Sequence, residues 1–79
     1  MRLDKYLKVS RLIKRRTVAN EACDAGRVLI GGKPARASAE VKPGDEITIL
    51  FGNKETKVKV LKVEDAVRKE DTADMFEYI

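Results

Sequence analysis

The 79-residue sequence predicts an α+β fold in which two N-terminal helices pack on a small, mainly antiparallel twisted sheet, with a short C-terminal tail. Three observations carry that expectation. Apolar residues recur at helical spacing near the N-terminus, they alternate at period two farther on, and glycine-containing dipeptides sit where tight hairpins need them. Hydrophobic residues make up 43% and charged residues 38%, a globular balance on a chain long enough for one core. Residues 1–63 are expected to form the domain, and 64–79 an acidic and then apolar tail.

The elements follow in order. Leu3, Tyr6, Leu7 and Ser10 share one helical face, which predicts a helix over Leu3 to Val9 with Lys5 and Lys8 outside. Leu12 and Ile13 then bury a short turn. Thr17 is a candidate N-cap for a second helix carrying Val18, Ala19, Ala22 and Cys23, and Gly26 ends it in the positive-φ conformation that glycine adopts without strain. Small side chains at Ala22, Cys23 and Ala25 let the helices approach closely. Arg27 to Ile30 reads as a strand, Gly31-Gly32 as its turn, and Lys33 to Ala35 as a short return. After the Pro43-Gly44 turn, Ile47, Ile49 and Phe51 fall on one face of a strand and are expected in the core. A hairpin at Gly52-Asn53 that opposes Phe51 to Lys54 also opposes Ile47 to Val58 and Glu46 to Lys59, an apolar and a charge match together. Val58, Val60, Leu61 and Val63 break the alternation once, so a bulge is expected near Val60. Ala66 to Met75 suits a helical turn or two, and Met75, Phe76, Tyr78 and Ile79 look like a tail that docks.

Much chemistry is excluded by composition. There is no histidine, Cys23 has no second thiol, and the lone cysteine with no signal segment predicts a cytoplasmic protein without cofactor or metal. No apolar run approaches the roughly 20 residues of a membrane helix, so no membrane partner is expected. Gly31-Gly32-Lys33-Pro34 lacks the spacing and hydroxyl of a phosphate loop. Without a base, metal site or cofactor motif, the chain does not read as an enzyme.

Charge is the strongest signal. Net charge is +4, but residues 1–36 hold ten basic and three acidic side chains, whereas 37–79 hold seven basic and ten acidic. Arg2, Lys5, Lys8, Arg11, Lys14, Arg15 and Arg16 form a cationic run broken only by Asp4, and Arg27, Lys33 and Arg36 follow. Guanidinium forks grip phosphate oxygens in pairs, so these ten residues are the candidate RNA contacts. Asp4 is expected to cap the first helix or to orient Arg2 or Lys8. With Tyr6 and Phe51 assigned to the core, few aromatics remain for stacking, which favours structured RNA read by shape and phosphate.

The run Arg2-Leu3-Asp4-Lys5-Tyr6-Leu7, with Ser10-Arg11, Arg16-Thr17, Ala22, Gly26-Arg27-Val28 and Val41-Lys42-Pro43-Gly44-Asp45, resembles the S-four (S4) RNA-binding domain. Its stand-alone length is similar to the small members of bacterial ribosome-associated quality control and to the small heat-shock member. The resemblance implies docking on 23S rRNA of the large ribosomal subunit, with Arg2 and Arg16 as leading contacts. It also implies contact with peptidyl-tRNA after stalling and a partner that adds alanine tails; the chain itself is expected to be a monomer. Gly31-Gly32 stands where the family commonly has Asn-Gly. Two alternatives are a general structured-RNA or ribosome-assembly module, and a protein adaptor acting through the tail.

Overall fold

A computed structural model of the chain describes residues 1–63 and 74–79, so most of the helical turn expected between Ala66 and Met75 lies outside the described residues. Helices α1 (Leu3–Val9) and α2 (Arg16–Asp24) precede strands β1 (Val28–Ile30), β2 (Lys33–Pro34), β3 (Glu46–Phe51), β4 (Lys54–Val60) and β5 (Phe76–Tyr78). All strand pairs are antiparallel, in the order β2-β1-β3-β4-β5. The β3–β4 register matches Ile47 to Val58, Glu46 to Lys59 and Phe51 to Lys54, as the sequence pattern requires.

One face of the sheet carries the core. Leu3, Tyr6 and Leu7 from α1 and Ala19, Ala22 and Cys23 from α2 pack on Val28, Ile47, Ile49, Val58 and Val60, all buried. The small α2 residues let that helix lie close to its neighbour. Burial, with the nearby charges of Asp4 and Asp24, pushes the Cys23 thiol up to about 11, so it packs as a neutral apolar group.

Both helices end in left-handed residues, by different means. After α2, the Gly26 amide donates to the Cys23 carbonyl at 3.0 Å and the Arg27 amide to Ala22 at 2.9 Å, the paired bonds of a Schellman ending with Gly26 at φ 73°. A Cβ on Gly26 would meet nothing within 4 Å, so the cost of substitution is backbone strain alone. Gly26→Val is therefore expected to lose about 1–2 kcal/mol and several degrees of melting temperature. A melting midpoint equal to wild type would contradict this. After α1 the left-handed position holds Arg11 at φ 65°, the sole non-glycine residue there among the described residues.

Three sequence expectations are corrected. Thr17 does not cap α2, because the helix begins one residue earlier at Arg16 and the N-cap position falls to Arg15, which makes no side-chain cap bond. The return strand stops at Pro34, before Ala35. Phe51 shares the face of Ile47 and Ile49 but lies past the ground the helices cover, and it is 42% exposed. The bulge expected near Val60 is found at the next residues: the amides of Leu61 and Lys62 both donate to the Met75 carbonyl, at 2.8 and 3.3 Å, two residues against one.

The C-terminal residues belong to this architecture. β5 pairs with β4, Met75 is fully buried in the core, and the Tyr6 hydroxyl donates to the Met75 carbonyl at 2.8 Å. Burial pushes the Tyr6 phenol up to about 12, so it remains a donor across the physiological range.

Candidate nucleic-acid interface

The first turn of α1 sets the geometry. Its amides at Leu3 and Asp4 donate to the Ala39 and Ala37 carbonyls, at 2.7 and 3.1 Å, which ties the segment 35–41 against the start of the helix. That tie buries Asp4 at 2% exposure, and its carboxylate becomes an organising centre. Oδ1 accepts the Lys5 amide at 2.8 Å and lies 3.3 Å from Arg2 Nε. Oδ2 accepts from Arg16 Nε and from Asn20 Nδ2, each at 3.4 Å. Burial alone would raise this carboxyl's pKa. Hydrogen bonds from Arg16, the Lys5 amide and Asn20, with the charge of Arg16, outweigh it and hold the pKa below the usual carboxylate range.

The consequence is positional. Arg2 and Arg16 come from different elements, yet one carboxylate fixes both, and about half of each side chain remains exposed, 53% and 46%. The carboxylate is buried while both guanidinium groups reach solvent, so the arrangement satisfies a buried charge and at the same time aims two cations outward. Asp4 thus orients Arg2, as expected, and Arg16 in addition, while Lys8 lies elsewhere.

Six of the ten candidate contacts line three concavities. Arg2 and Arg36 line a groove of about 460 Å³ with Asn20 and Ser38. Arg16 and Asn20 edge the neighbouring hollow beside Asp4. Lys8, Arg11 and Lys14 line a third concavity, of about 350 Å³, at the turn between the helices. The other four are dispersed: Lys5 is half-buried in α1, Arg15 is exposed at the N-cap of α2, Arg27 follows Gly26, and Lys33 lies on edge strand β2.

Two features escaped the sequence pattern. Asn20 sits one helical turn after Arg16, and that spacing was the available signal that both reach the same acid. Arg11 occupies a backbone state that favours glycine, a cost of about 1–2 kcal/mol, and lines one concavity with Lys8 and Lys14. Its role showed in the sequence only as charge.

Residues 1–47 match the family described as the S4 domain. The chain belongs to the S4 domain family. Over 76 residues, 96% of this chain and 88% of the relative, it is 57% identical to a Bacillus subtilis protein named RQC P-site tRNA stabilizing factor. A Streptococcus pneumoniae protein of the same name is 56% identical over 79 residues, covering 100% of this chain and 90% of the relative. Among solved structures, the trimeric structure of Vibrio cholerae Heat Shock Protein 15 superposes with a TM-score of 0.92 at 29% identity, covering 100% of this chain and 81% of that one. The α+β plan with two helices on an open antiparallel sheet is therefore that of the S4 fold. No helix among the described residues is long and apolar enough to cross a membrane.

Proposed function

We propose that this protein binds structured RNA on the large ribosomal subunit and steadies P-site tRNA there during rescue of stalled ribosomes, as a cytoplasmic monomer without catalytic activity of its own. The observation that carries the reading is the buried Asp4 carboxylate holding Arg2 and Arg16 side by side, with Asn20, in an S4 domain. Two guanidinium groups set at fixed spacing suit two phosphates of a folded RNA backbone. The names of the relatives, RQC P-site tRNA stabilizing factor, support the choice of the quality-control complex over a general RNA module. In that setting 23S rRNA meets the helix face, peptidyl-tRNA lies beside it, and a separate elongation partner adds the alanine tail. An adaptor working mainly through the tail is less well supported, because Met75 is spent on the core.

The test is Arg16→Ala. It removes one charge-assisted contact and is expected to lower affinity for large subunits carrying peptidyl-tRNA about ten- to a hundredfold. The fold should be retained at some cost in stability, because the buried Asp4 carboxylate loses one donor but keeps the Lys5 amide, Arg2 and Asn20. Co-sedimentation of the variant at wild-type levels would reject the assignment.

A further inference from the structure

The cations at the turn between the helices differ from the Asp4-centred pair in having no acid to hold them. Lys8, Arg11 and Lys14 line their concavity without any other residue, and all three are exposed. Among the described residues none of them makes an ion pair or a side-chain hydrogen bond. Like charges gathered in one hollow repel, so the arrangement works against the fold.

Two of the three also stand where local structure disfavours them. Arg11 takes φ 65°, a backbone state that glycine would occupy without strain. Lys14 comes just before α2, whose first turn holds no acid, and the start of a helix favours anions over cations. Only the last turn of α1 welcomes a cation, and Lys8 already serves it. A strained residue whose side chain contributes no contact to the fold is explained by what it binds.

We propose that this concavity is a second phosphate site, separate from the Asp4-centred pair, which takes a backbone phosphate of the bound RNA. One phosphate there offsets the repulsion among all three cations, with paired donors from the Arg11 guanidinium and point charges from the lysines. The site shares no lining residue with the groove of Arg2 and Arg36 or with the hollow of Arg16, so the two sets can hold different phosphates at once. That favours a polymer over a free anion. Exposed cations grip a single ion weakly in water, whereas a phosphate on a chain already anchored at the Asp4-centred pair arrives at high effective concentration.

The proposal rests on the RNA reading above and is tested separately from it. Full-length variants are compared for melting temperature and for affinity to large subunits carrying peptidyl-tRNA. Arg11→Gly should bind about tenfold more weakly, with a salt slope lower by about 0.7 to 0.9, yet melt at least about 2 °C higher because strain and repulsion are both relieved. Arg11→Ala removes the same cation but keeps a Cβ at positive φ. It should lose the same affinity and melt below the glycine variant. Combining Arg11→Gly with Arg16→Ala should multiply the two single losses, as independent sites require. A combined loss no larger than that of Arg16→Ala alone would merge the two sites and overturn the proposal. Wild-type affinity for Arg11→Gly overturns the second site alone, and a lower melting temperature would assign Arg11 to the end of α1 instead. Displacement of RNA by inorganic phosphate beyond that by chloride at equal ionic strength, abolished by Arg11→Gly, would give the concavity to a free anion and overturn the proposal. Absence of binding by wild type overturns the RNA reading itself.

Discussion

Replacing Arg2, Arg11, Arg15 and Arg16 together with alanine is expected to abolish binding to large ribosomal subunits and to flatten its salt dependence. Each phosphate contact adds about 0.7 to 0.9 to the slope of log affinity against log salt, so losing four should reduce the slope by about 3 to 4. The decisive control changes the same four residues to lysine. That variant keeps the net charge of +4 but loses the planar forks and the Nε contacts through which Asp4 aims Arg2 and Arg16. It should keep most of the salt slope and still lose at least about tenfold in affinity. If the lysine variant binds as wild type does, the positive field alone accounts for binding, and the Asp4-centred geometry has no special part in it.

The same distinction explains what was legible in the sequence. Helical spacing and period-two alternation located both helices, the hairpins and the β3–β4 register, because local pattern and tertiary pairing agree there. The cationic face was legible as charge, since Asp4 is the single acid among seven cations in residues 1–16. Its organisation was not. Asp4 looked like one acid in a basic run, and only the packing of 35–41 against the start of α1 buries it and makes it an anchor. Phe51 failed for the converse reason. Alternation tells which face a residue occupies, but not how far the covering helices reach along that face. The docking tail was foreseen from Met75, Phe76, Tyr78 and Ile79, yet its site was beyond reach, because Tyr6 and Met75 are 69 residues apart.

That long-range contact supports the second large effect. Met75→Ala is expected to destabilise the protein by about 2–5 kcal/mol, the usual cost of truncating a fully buried methionine to alanine. Domains of this length have only about 4–12 kcal/mol of stability in total, so the loss should lower the melting temperature by at least about 10 °C. The side chain is the variable under test. The backbone carbonyl of residue 75 survives the change, and with it the acceptor for the Tyr6 hydroxyl and for the Leu61 and Lys62 amides. Tyr78→Ala is the matched comparison on the same short strand: its side chain is 72% exposed, and its removal should cost no more than about 0.5 kcal/mol. Chemical denaturation of both variants separates the two residues directly. Equal midpoints for Met75→Ala and wild type would mean that the C-terminal strand rests on the sheet without completing the core, and the fold would then owe its stability to the first 63 residues alone.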